Sequence, residues 1–123
     1  MTVFLIAVGA AIGAPARYLT DRAAQSRHDS VFPWGTFTVN VVGSFVLGAL
    51  TAAAAGGAVG SGVVAAVGTG FCGALTTYST FGYETLRLAE EGAALQAAAN
   101  VVASVLAGLA AAAIGWAAAT ALT

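Results

Sequence analysis

Apolar residues fill this chain in four long stretches, and polar residues gather in the short gaps between them. The first stretch runs from about Val3 to Leu19 and is followed by a polar segment, Thr20 to Ser30. Pro33 and Trp34 mark the entry to a second stretch, about Thr36 to Ala55, which ends at Gly56-Gly57 and a Gly60-Ser61-Gly62 turn. A third runs from about Val63 to Leu88, an acidic turn covers Ala89 to Gly92, and the last stretch spans about Ala93 to Leu122. A helix needs roughly 20 predominantly apolar residues to cross a bilayer. The pattern therefore predicts an all-α membrane protein with four transmembrane helices, in one domain covering residues 1–123. Trp34 stands where an indole sits at the lipid–water boundary. The first stretch has no basic leader and no convincing cleavage site before the polar segment, so it reads as a span and not as a signal peptide.

The third stretch does not read as a plain helix. Between Gly70 and Phe81 it carries two glycines, a run of hydroxyls and three aromatics, Phe71, Tyr78 and Phe81. Irregular backbone at membrane depth is tolerated only where protein buries it or where it lines a wet cavity. The expectation is a helix interrupted near Gly73 to Thr76, with hydroxyls and freed carbonyls serving an ion site or a pore. Gly68 to Gly73 also matches G-x-G-x-x-G. A dinucleotide site needs a compact βαβ unit with a wide parallel sheet, which this chain has no room for, so the glycines are read as permitting a helix break and close packing.

Composition narrows the class. Hydrophobic residues make up 59% of the 123 and charged residues only 7%, against about 25% charged in soluble domains, so lipid is the main solvent. The net charge of −1 and four scattered arginines argue against nucleic acid. Cys72 is the single cysteine, which rules out a disulfide within the chain and offers no zinc spacing. It is read as a small buried apolar residue, with a pore-lining thiol as the alternative. His28, beside Arg27 and Asp29, is read as a solvated loop residue.

The polar atoms inside the spans are few. Asn40 and Ser44 share a helix face at i and i+4, and Asn100, Ser104 and Gly108 repeat the spacing on the last span. Each stripe serves either helix packing or a pore. Gly9 and Gly13, and Ser44 and Gly48, form small-xxx-small pairs that allow close backbone approach, within the chain or between subunits. Arg17 ends the first span, either snorkelling to headgroups or placing a positive charge at a pore mouth. Glu84 is expected near the end of the third segment, paired with an arginine. No carboxylate lies deep in the first span, which argues against a small four-span proton-coupled multidrug transporter. Four thin, Ala-rich helices without an internal repeat enclose little, so a conduction path calls for a second subunit.

Three separated motifs carry a resemblance over essentially the whole chain: Gly13-Ala14-Pro15-Ala16-Arg17-Tyr18; Pro33 to Asn40 with Gly43-Ser44-Phe45; and Gly70 to Phe81 with Glu84. In these the chain resembles the Fluc/CrcB fluoride channels. The resemblance implies a passive fluoride channel of two antiparallel four-span subunits, conferring fluoride resistance, with no reaction catalysed. It implies that Asn40 donates into the fluoride path, that Tyr78, Ser79, Thr80 and Phe81 lie on it, and that Ser104 belongs to a polar track on the last span. It also implies a structural sodium ion (Na+) at the dimer centre, held by the backbone carbonyls of Gly73 and Thr76. Two positions depart from the family: Tyr78 where phenylalanine is usual, and Asn100 where tyrosine is usual. Either leaves room for a subunit that conducts partly or not at all and completes a partner's pore.

The arginines also bear on topology. Arg22 and Arg27 lie between the first two spans and Arg87 near the last turn, with Arg17 on the same side, while the termini and the Gly56 to Gly62 loop carry no Lys or Arg. Positive charges mark the cytoplasmic side, which would put both termini outside a bacterial inner membrane. A fixed orientation calls for a paralogous partner of opposite bias; the alternative is a dual-topology homodimer.

Overall fold

The computed structural model describes residues 1–27 and 32–122. The reading of His28 falls outside them. Every regular element among the described residues is a helix.

Helix α1 covers Thr2–Arg27, so the segment from Thr20 expected as a loop continues the helix instead. Ala23, Ala24, Gln25 and Arg27 are good helix formers, and the polar side chains bond along the helix rather than against it. Gln25 Nε2 donates to Asp21 at 3.1 Å and Arg22 to the Tyr18 hydroxyl at 3.3 Å. Polarity here marks where the helix leaves the apolar layer, not where it stops. Helix α2 covers Trp34–Ala55. Trp34 packs with Phe32 and Phe37 at ring-centroid distances of 4.7 and 5.9 Å.

The third stretch divides in two. Helix α3 covers residues 61–75: a turn at Ser61–Val63, a nine-residue π-helical run at Val64–Cys72, and a turn at Gly73–Leu75. Helix α4 covers Ser79–Glu90 and helix α5 covers Ala94–Leu122. The expected turns are present. Gly57 at φ 78° and Gly92 at φ 82° close α2 and α4. At each, the amide of the following residue reaches back five positions, Ala58 to the Ala53 carbonyl and Ala93 to that of Leu88. Only glycine adopts that φ without strain.

Helices α1, α2 and α5 are long and apolar enough to cross a membrane; α3 and α4 each fall short of roughly 20 residues. The helices pack chiefly as two pairs, α1 along α3 and α2 along α5. Both pairs approach backbone to backbone. A Cβ on Gly9 or Gly13 would run into the carbonyls of Ala66 or Phe71, and one on Gly48 into that of Ala112. Ser44 Oγ also faces Gly108. The small-residue stripes thus serve packing within the chain. Helix α4 rests mainly on α5 and only sparsely on α2, which leaves an open groove beside the break.

A candidate ion path at the broken helix

Helix α3 stops because an amide from α2 captures its next hydrogen bond. The Thr76 N–H still reaches the Cys72 carbonyl at 2.9 Å. The Thr77 N–H, which would have bonded to the Gly73 carbonyl, donates instead to Asn40 Oδ1 at 2.8 Å. Asn40 Nδ2 donates back to the Thr77 carbonyl at 3.0 Å. Thr76 takes an extended conformation, φ −81°, ψ 160°. Thr77 Oγ1 then accepts the Thr80 N–H at 3.1 Å and caps α4. The interruption is therefore at residues 76–78, later than expected, and Gly73 is itself helical with φ −62° and ψ −38°. Asn40 and Thr77 make the break, not the glycines.

Two consequences follow from these bonds. The carbonyls of Gly73 and Thr76 have both lost the amides four residues on, to Asn40 and to Thr77 Oγ1. The carbonyl end of α3 and the amide end of α4 also meet at one place, and these are the negative and positive ends of the two helix dipoles.

The groove beside this junction has a volume of about 420 Å³. Of the residues singled out from the sequence, Asn40, Gly73, Thr76, Tyr78, Phe81 and Ser104 line it, as do Ser44 and Cys72. Cys72 is 2% exposed, so it is at once a small packed residue and part of the wall. Ser79 and Thr80 are exposed at the head of α4 and do not line the groove. Arg17 is half-buried on α1 and does not line the groove, with no hydrogen bond or ion pair among the described residues. The Tyr78 and Phe81 rings lie 6.2 Å apart, and Tyr78 is 86% exposed.

Three hydroxyl protons on the wall are committed within the chain. Ser44 donates to the Asn40 carbonyl at 2.7 Å, Thr76 to that of Cys72 at 2.8 Å, and Ser104 to Asn100 Oδ1 at 3.2 Å. Asn40 spends one Nδ2 hydrogen on Thr77 and keeps the other. Sequence reasoning assigned no role to Thr77, although a hydroxyl residue ahead of a renewed helix is a capping signal. It also missed Thr85, whose hydroxyl accepts from Asn100 Nδ2 at 2.8 Å; no sequence pattern points to that contact.

A second cavity, about 270 Å³, lies where the ends of α1 and α4 meet the start of α2, lined by Asp21, Trp34, Glu84, Arg87 and Glu91 among others. The expected pairing of Glu84 with an arginine is not formed. Arg87 Nε bonds Glu91 Oε2 at 3.3 Å, one helical turn on, and Glu84 Oε1 is buried without a partner among the described residues.

A helical, multi-pass membrane protein with a groove beside the break between two shorter helices is the class of molecule that this fold and site define. Residues 4–116 match the family model described as CrcB-like protein, Camphor Resistance (CrcB), and the chain belongs to that family. It is similar to a protein of Frankia casuarinae named "Fluoride-specific ion channel FluC 1", 62% identical over 94% of this chain and 93% of that one. A protein of the same name from Streptomyces avermitilis is 60% identical, with the same coverage. A "Fluoride-specific ion channel FluC 2" of Rhodococcus jostii is 49% identical over 94% of this chain and 96% of that one.

Proposed function

We propose that this protein is a passive, fluoride-selective ion channel that lets fluoride leave the cell across a bacterial inner membrane. The observation that carries the reading is the groove at the broken helix. It gathers a half-buried amide with one N–H unspent and two aromatic rings against an otherwise largely apolar wall, beside the amide end of α4. Fluoride is small and strongly hydrated, so a narrow path must replace its water with donors. Aromatic ring edges are the positive part of the ring quadrupole and add to them. No residue needs to perform chemistry. The names of the relatives agree with this reading.

In this reading α3 and α4 together make the third of four crossings. The groove is open on one side, and a second four-span subunit in antiparallel orientation closes it, either identical or paralogous. Asn40, Tyr78, Phe81 and Ser104 form the path, with Ser79 and Thr80 at the head of α4 next to it and Arg17 at its mouth. The carbonyls of Gly73 and Thr76, both freed of helical partners, suit a hard cation, and with the matching pair from the second subunit they would hold a structural sodium ion. Such an ion would tie the two broken helices together.

The experiment is fluoride efflux from proteoliposomes, followed with a fluoride electrode. Rapid, fluoride-selective efflux that needs no proton gradient is the expected result. Proton-coupled uptake of an organic cation would instead favour the small multidrug transporter. No efflux from the chain alone, with efflux restored by a paralogous partner, would assign it the role of one subunit in a heterodimeric channel.

A further inference from the structure

The polar track on α5 runs past the groove wall into the protein. Ser104 Oγ donates to Asn100 Oδ1 at 3.2 Å, Asn100 Nδ2 donates to Thr85 Oγ1 at 2.8 Å, and Thr85 Oγ1 donates to the Phe81 carbonyl at 2.8 Å. All three bonds point the same way, from Ser104 to Phe81, and aligned bonds polarise one another. Both ends of the chain of bonds belong to residues on the groove wall. Asn100 between them is 1% exposed, the most buried polar side chain among the described residues. An amide so placed is costly unless it is paired, and here it is paired on both its oxygen and its nitrogen.

Helix α4 has few other ties, one of them a side-chain hydrogen bond between Glu84 and Thr36 on α2. The backbone ahead of it is broken, and it packs mainly on α5. The Asn40–Thr77 clamp fixes its head, and the Asn100–Thr85 bond is the side-chain hydrogen bond that joins its middle to α5.

We propose that Asn100 is a positioning residue for anion passage: through Thr85 it sets where α4 presents Phe81 to the groove, and through Ser104 it sets the resting direction of a hydroxyl donor. Asn100 does not line the groove and touches no ion. The Ser104 bond is the loosest link, since O–H···O bonds centre near 2.7–2.8 Å. An anion arriving in the groove can therefore draw that proton from Asn100 and release it again on leaving. The proposal rests on the channel reading.

The test uses Thr85→Val, which removes the hydroxyl at nearly constant shape, Thr85→Ser, which keeps it, and Asn100→Leu. Each is reconstituted with whatever partner the wild type requires. Fluoride flux in Thr85→Val and Asn100→Leu is expected to fall about three- to tenfold, the scale of one interhelical hydrogen bond in a membrane. The fluoride-over-chloride flux ratio should fall with it, and Thr85→Ser should restore both. Combining Asn100→Leu with Thr85→Val should cost no more than the worse single change. Wild-type flux and ratio in assembled Thr85→Val, an equal loss in Thr85→Ser, or additive losses would overturn the proposal. Failure of Asn100→Leu to assemble leaves the Thr85 pair to decide, and failure of both Thr85 variants to assemble assigns the network to folding alone. Absence of fluoride flux in the wild type removes the channel reading and this proposal with it.

Discussion

Asn40 carries two tasks with one amide. Its oxygen and one of its hydrogens hold the backbone of Thr77, and the remaining hydrogen belongs to a residue on the groove wall. Removing it costs the clamp as well as the donor. Two hydrogen bonds at about 1 kcal/mol each correspond to roughly thirtyfold in rate. Asn40→Ala should therefore lower fluoride efflux by at least that factor. Asn40→Asp keeps the acceptor for the Thr77 N–H but turns a second oxygen toward the Thr77 carbonyl, and it is expected to lose as much. Efflux near the wild-type rate in either variant would remove Asn40 from the path. Tyr78 is the opposite case. Its ring is largely exposed beside Phe81 and its hydroxyl has no hydrogen bond among the described residues. Tyr78→Phe removes bulk without removing a contact, so flux should rise about twofold, roughly 0.4 kcal/mol. An unchanged flux assigns the hydroxyl no part.

Among the elements, α1 and α3 meet at carbonyl-to-glycine contacts that admit no side chain. Gly9→Val would press on the Ala66 carbonyl, which belongs to a helix that cannot yield locally. Overpacking of this kind costs about 1–3 kcal/mol or more, and the yield of assembled protein in size-exclusion chromatography should drop sharply. Gly62→Ala, whose added carbon would meet only the Leu5 side chain at 3.4 Å, should assemble normally. Equal yields for the two would mean that α1 and α3 do not pack as described. The break offers a second test at this scale. If the carbonyls of Gly73 and Thr76 hold sodium, side chains contribute little there. Sodium-free conditions should then reduce flux more than Thr76→Ser does. Crystals with a heavier monovalent cation in place of sodium should show an anomalous peak between the two broken helices. A peak elsewhere would sink the site.

Taken whole, the molecule brings its charged ends to one side. Asp21 on α1 and Arg87 and Glu91 on α4 line a common cavity, so Arg22, Arg27 and Arg87 lie toward the same end of the bundle. The opposite turn, Gly56 to Gly62, has no basic residue. The positive-inside rule then predicts that both termini lie outside. Reporters fused to the termini, expressed without a partner, should read out a single orientation. Equal populations on the two sides would refute a fixed topology and favour a homodimer that inserts both ways. Fluoride flux from this chain alone would remove the need for a partner.

What the sequence by itself determined is whatever depends on solvent and local chemistry. Long apolar stretches could only become helices in lipid, the Gly56-Gly57 pair and the acidic segment ending at Gly92 were legible as turns, and the crowding of hydroxyls and aromatics from Gly70 to Phe81 located the irregular backbone. The separated motifs around Arg17, Asn40 and Phe81 made the family legible. Whatever depends on two elements meeting in space was decided by tertiary structure. The length of α1 past Thr20 followed from side chains bonding along the helix, which a polarity pattern does not distinguish from a loop. The small-residue stripes turned inward because α1 meets α3 and α2 meets α5, a choice that spacing alone leaves open. The exact break came from Asn40 on α2 taking the Thr77 amide 37 positions away. For the same reason the partners of Asn100 and Glu84 were not legible. One found Thr85 across the helix interface and the other found no ion pair, because distance between helices, and not position in the chain, sets which polar groups are satisfied.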